Sequence, residues 1–245
     1  MRRNAQRGFS MIEFLIVIVM LSALMATVFQ LINLAIARSG TEQAKLDMFQ
    51  ESREFMDQMS RDLHQAGYPN THGVTPTLLT VSPATNDHRT AVGLVKVDSG
   101  DLWFEGDVDG SGIVYSVHYH LDTSTTNGCP CLKRSQLPKV DADPLVLGVG
   151  GQTTPIYNVE VQGVENTNIF SAFLHSATGT PVTLPVDFTS NASTIANIDT
   201  VEAVLTIKSL HLDSQTHKYP STSLVTTVRL NNCSQADKGQ DMSCE

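Results

Sequence analysis

From Phe14 to Ala37 the chain carries no charged side chain, and only Ser22, Thr27, Gln30 and Asn33 interrupt the apolar run. About 20 apolar residues in a helix span the hydrocarbon core of a bilayer, so this run is long enough to cross one. Arg2, Arg3 and Arg7 precede it. Basic residues on a short flank stay cytoplasmic, which places everything after Arg38 on the far side. Beyond Arg38 the pattern turns amphipathic. Phe49, Ser52, Met56, Met59, Leu63 and Ala66 alternate steps of three and four, while Glu42, Lys45, Asp47, Glu51, Arg53, Glu54, Asp57, Arg61 and Asp62 populate the other faces. The spacing predicts one long helix whose second half seats a globular domain. Gly67 caps it and Pro69 blocks continuation. Gly40 is where bending or local melting costs least.

From Leu78 onward the text changes to short β-rich runs punctuated by Gly, Pro, Asn and Asp. Strands are expected over Leu78 to Ser82, Ala91 to Val97, Asp101 to Phe104, Ile113 to Leu121, Leu145 to Val149, Ile156 to Val164, Ile169 to His175, Val201 to Leu212 and Ser223 to Leu230. Val201, Ala203, Leu205 and Ile207 alternate with Glu202, Val204, Thr206 and Lys208, so one face of an antiparallel sheet is apolar and can pack on the helical stripe. A helix followed by strands gives an α+β domain. Gly150 to Pro155 and Ser176 to Asn197 read as surface loops.

Length and charge narrow the picture. A chain of 245 residues with formal net charge −9 has room for the helix and one soluble core. Its acidity disfavours nucleic-acid binding, which needs basic surface against phosphates, and favours a soluble exterior.

Glu13 stands just inside the apolar run. An acid in a spanning segment costs about 2.5 to 3.5 kcal/mol at mid-bilayer, less near the interface, and such residues are usually paired. A secretory signal peptide fits poorly, because the run exceeds the usual 7 to 15 residues and no small-residue cleavage site follows it. The residues Gly8-Phe9-Ser10-Met11-Ile12-Glu13 instead resemble the type III signal of type IV prepilins and type II secretion pseudopilins. The resemblance implies a pilin-like fold, a long N-terminal helix packed on a β-sheet head. It also implies a membrane peptidase that cuts between Gly8 and Phe9 and methylates the new amine. Residues 1–8 are then a leader, 9–37 a transmembrane and filament-core helix, 38–68 the periplasmic half of that helix, and 69–245 the head. The cut leaves 237 residues (245 minus 8) and, with three arginines gone, a formal charge of −12 (−9 minus 3) before counting the new amine. An α-amine with an ordinary pKa near 7.7–8.0 is mostly cationic at neutral pH, so the resemblance gives Glu13 a partner: the Phe9 amine of a neighbouring subunit. The bland alternative is a glutamate reaching the cytoplasmic headgroups.

Two further stretches narrow the resemblance. Ser60-Arg61-Asp62-Leu63-His64-Gln65-Ala66-Gly67-Tyr68 is similar to the "RDLRxAGY" helix ending of PilW-type minor pilins, with His64 where arginine is common. Thr226-Thr227-Val228-Arg229-Leu230-Asn231 resembles the strand that closes their domains. The resemblance implies a minor pilin that primes type IV pilus assembly. Its partners are other minor pilins, the major pilin, the prepilin peptidase and the inner-membrane assembly machinery. It starts as a single-pass inner-membrane protein with a periplasmic head and ends in the pilus. The neighbouring alternatives are a J-class pseudopilin of type II secretion and a ligand-binding tip adhesin or DNA-uptake pilin.

Three clusters in the head can carry chemistry. Asp107-Val108-Asp109-Gly110-Ser111-Gly112-Ile113 follows the opening of a calcium loop, with oxygen ligands at alternate positions, glycine sixth and the Ile113 carbonyl seventh. The twelfth position is His118 rather than an acid, so Glu105, Asp101 or water is needed to complete the shell; otherwise the segment is a turn between strands. Cys233 and Cys244 bracket a polar tail, and a bridge there contributes about 3 kcal/mol by chain entropy. Cys129-Pro130-Cys131 is too tightly spaced for an ordinary bridge and can instead cross-pair with the tail, so the pairing stays open. His118 and His120 share one strand face and bind zinc only if a third ligand is near. A G-x-S-x-G elbow, an H-E-x-x-H helix and a P-loop are all missing from the sequence, so no enzymatic activity is expected.

Overall fold

The computed structural model describes residues 10–70, 79, 81–82, 84–125, 129–142, 155–174, 179–210, 212–213 and 216–230. One helix, α1 (Met11–His64), runs unbroken through Gly40 for 54 residues. At 1.5 Å per residue it is about 80 Å long. Its first half exposes apolar side chains on every side, from Met11 to Ile36, and is long and apolar enough to cross a membrane. Its second half buries Ser52, Phe55, Met56, Met59, Asp62 and Leu63. Phe49, expected in the stripe, is 41% exposed; the buried arc begins at Ser52 and turns to include Phe55 instead.

The head is antiparallel throughout. β1 (Leu94–Asp98), β2 (Asp101–Gly106), β3 (Tyr115–Asp122), β4 (Cys131–Pro138), β5 (Asn158–Gln162) and the two-residue β7 (Val186–Asp187) form a six-stranded sheet in the order β5-β4-β3-β2-β1-β7. A second sheet has the order β6-β8-β9, from β6 (Phe170–Leu174), β8 (Ile198–Lys208) and β9 (Ser221–Arg229). A short α2 (Ala192–Ala196) precedes β8, inside the stretch expected to be loop. The α+β expectation holds, but the single sheet becomes two. The expected alternation is clearest in β8, where Val201, Ala203, Leu205 and Ile207 are buried and join Phe55, Met56, Met59 and Leu63 in one core. Val81 and Ser82 lie in a bend rather than the expected strand. The stretch Leu145 to Val149 lies outside the described residues.

The end of α1 is fastened to β2 through backbone. Gly67, with φ 83°, donates its N–H to the Glu105 carbonyl at 2.9 Å, and Asp107 N–H donates to the Tyr68 carbonyl at 2.8 Å. Ala66 bridges Gly106. The approach leaves no room for a side chain, since a Cβ on Gly106 would lie 2.4 Å from the Gln65 carbonyl oxygen.

Candidate functional site

Glu13 lies in the first turn of α1, on an exposed surface whose neighbours are apolar for more than twenty residues. Gly8 and Phe9, the expected processing residues, lie outside the described residues. The first half of the helix therefore offers one carboxylate, near its start, ahead of an uncharged run to Ala37, and that carboxylate faces outward, toward whatever packs beside it.

The motif at the other end of α1 has a structural task. Asp62, expected on a solvated face, is 5% exposed. Tyr119 on β3 donates its hydroxyl to Asp62 Oδ2 at 2.7 Å, and Arg134 on β4 donates Nε to the same oxygen at 2.9 Å. Arg134 Nη2 lies 2.8 Å from it as well. Burial, with the Asp62 charge next, pushes the Tyr119 phenol well above its ordinary pKa, so it stays a donor. Burial opposes the charge on Arg134, but Tyr119 and Asp62 outweigh it and raise its pKa. Phe55 meets the Tyr119 ring edge-on, with centroids 5.5 Å apart. One helical carboxylate thus holds two strands of the large sheet.

A second buried pair ties the loops to β2. Lys139 Nζ donates to Glu105 Oε2 at 2.8 Å and to the carbonyls of Thr85 and Thr90 at 2.7 Å each. Both side chains are fully buried. Burial raises the Glu105 pKa despite the opposing pull of Lys139.

On the opposite face of the large sheet, the β2–β3 register sets Asp101 across from His120, and Trp103 across from His118. His118 Nε2 contacts Asp101 Oδ1, and His120 Nδ1 lies 3.3 Å from that oxygen. Lys96 donates to Asp101 Oδ2 at 2.8 Å. Burial works to raise the Asp101 pKa, but hydrogen bonds from His118, His120 and Lys96 outweigh it and hold the carboxyl well below its usual range. The Tyr157 hydroxyl lies 2.6 Å from His118 Nδ1; burial, helped by the Asp101 charge, pushes its pKa up to about 12. Trp103 stacks on His118 with centroids 4.8 Å apart. The third ligand that zinc requires is therefore present: the ligand atoms of Asp101, His118 and His120 lie within 4.8 Å of one another. Yet both oxygens of Asp101 already have partners, one of them a lysine ammonium. The cluster is satisfied as a hydrogen-bonded unit.

The β2–β3 connection differs in this respect. Ser111 N–H donates to Asp109 Oδ1 at 3.0 Å, Gly112 N–H to Asp107 Oδ2 at 2.9 Å, and Ile113 N–H to Ser111 Oγ at 3.3 Å. Asp107 is 6% exposed, and its Oδ1 is buried without a hydrogen-bond partner. Glu105 and Asp101, expected as supplementary ligands, are engaged with Lys139 and with the histidine cluster.

Cys129 and Cys131 form a disulfide with each other, with Cα atoms 4.3 Å apart. The spacing expected to be too tight for an ordinary bridge is bridged, and cross-pairing of these two residues with the tail does not occur. Cys233 and Cys244 lie outside the described residues. The sequence reading did not single out Arg134, placed Asp62 on a solvated face, and named Asp101 only as a supplementary calcium ligand. Asp62 was legible as the neighbour of Leu63 and the residue three after Met59; the other two needed the strand register.

No curated protein and no solved structure matches the chain. Residues 3–29 match the family model described as the prokaryotic N-terminal methylation motif. With the apolar helix and antiparallel head, the motif supports a membrane-anchored type IV pilin- or pseudopilin-like protein, a structural subunit rather than an enzyme.

Proposed function

We propose that the chain is a PilW-like minor pilin, processed between Gly8 and Phe9, whose α1 enters a filament bundle and whose head contacts other minor pilins as pilus growth is primed. The observation that carries this reading is Glu13, an outward-facing acid at the start of an apolar helix, inside the segment, residues 3–29, that matches the methylation motif. Packing of apolar helices supplies non-specific attraction; a carboxylate that must find a cation in that environment supplies axial register. The Phe9 amine of an adjacent subunit is that cation. The buried Asp62 anchor supports the same reading, because it makes the head and the helix one mechanical unit.

The processing step is tested by mass spectrometry of the intact protein from cells that contain the cognate peptidase. The expected N-terminus is a methylated Phe9. A mature protein that retains residues 1–8, or begins elsewhere, contradicts the reading.

A further inference from the structure

We propose that the loop Asp107–Ile113 is a calcium site, with Asp107 Oδ1, an Asp109 carboxylate oxygen, Ser111 Oγ and the Ile113 carbonyl as protein ligands and water completing the shell. The loop's sequence pattern alone is compatible with an empty turn. The orphaned oxygen of Asp107 is not explained by a turn. A buried carboxylate is normally paired or hydrogen-bonded on both oxygens. Asp107 is 6% exposed, and its Oδ2 accepts the Gly112 N–H, while Oδ1 has no partner. Asp109, two residues on, is exposed, and its Oδ1 accepts the Ser111 N–H at 3.0 Å. Asp107 and Asp109 are the two acids of the loop, and a buried carboxylate oxygen with no donor is satisfied by a paired or coordinated cation. No lysine or arginine pairs with either among the described residues, in contrast to Asp101, Glu105 and Asp122, each of which has a lysine.

The donors identify the cation. All are oxygens, which suits a hard ion, and no imidazole or thiolate of the described residues joins them. Gly112 occupies the sixth position with φ 81°, the sharp turn that lets the seventh carbonyl face inward. Calcium tolerates irregular shells of six to eight ligands partly made of water, whereas magnesium demands near-ideal octahedral geometry. With two carboxylates and no closing bidentate acid, the site falls in the weak range of extracellular modules, Kd on the order of 10⁻⁴ to 10⁻³ M. The ion would brace the β2–β3 connection one residue beyond Gly106, where the end of α1 is fastened. The site does not depend on the role of Glu13, and its failure leaves the filament reading untouched.

The test uses the full chain in detergent, stripped with chelator, with calcium chloride and terbium chloride as probes. Trp103 and Tyr115, in the strands flanking the loop, can sensitise terbium emission. Expected are sensitised terbium emission displaced by calcium, and a Tm raised by about 4–8 °C at 10 mM calcium. Asp107→Asn, which keeps an acceptor for Gly112, removes both signals. Asp109→Asn, at an exposed position, does the same and stands in should the Asp107 variant fail to fold. Overturning results are no calcium-dependent shift or emission in a protein with native circular dichroism, or responses that persist in both variants.

Discussion

Replacing Asp62 by asparagine isolates the joint between helix and head. The acidic side chain is 7% exposed and its arginine partner 12%, so solvent screens neither strongly. Breaking one partner of a buried ion pair costs about 3–5 kcal/mol, because the remaining charge is left uncompensated. Here Arg134 keeps one bond to Gln136 Oε1 at 2.7 Å, and asparagine retains an amide oxygen, which places Asp62→Asn near 3 kcal/mol, the low end of that range. Tyr119→Phe removes the donor to Asp62 and the acceptor of Arg134 Nε at 3.2 Å but leaves both Arg134 contacts to Asp62, so it costs about 1.5–2 kcal/mol. The triple variant Asp62→Leu, Tyr119→Phe and Arg134→Met removes both charges and the hydroxyl that would otherwise be buried without a partner, and recovers most of the loss, as buried pairs replaced by apolar residues often do. Urea unfolding of the full chain in detergent, followed by fluorescence, measures all three. The chain has one tryptophan, and Trp103 lies on β2, so the signal reports the head alone. A loss below 1 kcal/mol for Asp62→Asn, or a larger loss for Tyr119→Phe than for Asp62→Asn, refutes the anchor.

Two other perturbations follow from the same contacts. Gly106→Ala drives a methyl toward the Gln65 carbonyl at 2.4 Å; a backbone clash of this kind lowers stability by about 1–3 kcal/mol in the urea assay, and wild-type stability would mean the helix end is not packed on β2 as described. The Asp101 carboxyl is held below its usual range, so its contribution is complete above the unfolded value near pH 4 and is lost as pH falls through the lower folded pKa. A Tm profile from pH 6 to 2 falls at the acid end, and Asp101→Asn flattens that limb; an unchanged limb removes the argument.

How far the fold could be read in advance depended on whether one residue's neighbours lay along the chain or across it. The extent of α1 was legible from an uncharged run followed by three-and-four spacing, and its end from Gly67 and Pro69. β8 was legible from the alternation of Val201, Ala203, Leu205 and Ile207, and β9 as a β-rich run from Ser223 to Leu230. β4 was not, because Cys131–Pro138 contains Lys133, Arg134 and Gln136, which read as solvated although Arg134 points back to Asp62. The division into two sheets was equally hidden, since register between distant strands leaves no local mark. The same reason hid the third member of the histidine cluster: Asp101 reaches His118 and His120 only through the β2–β3 pairing. The candidate calcium loop was visible as a motif, whereas the orphaned Asp107 oxygen that distinguishes it from a turn required coordinates.

The central claim is that one carboxylate in an apolar helix finds an amine on an adjacent subunit. It is tested most directly by quantifying Glu13→Ala protein in sheared filament and membrane fractions of cells expressing the complete assembly system. The account predicts wild-type amounts in the membrane and strong depletion from filaments. Incorporation at wild-type level would contradict it.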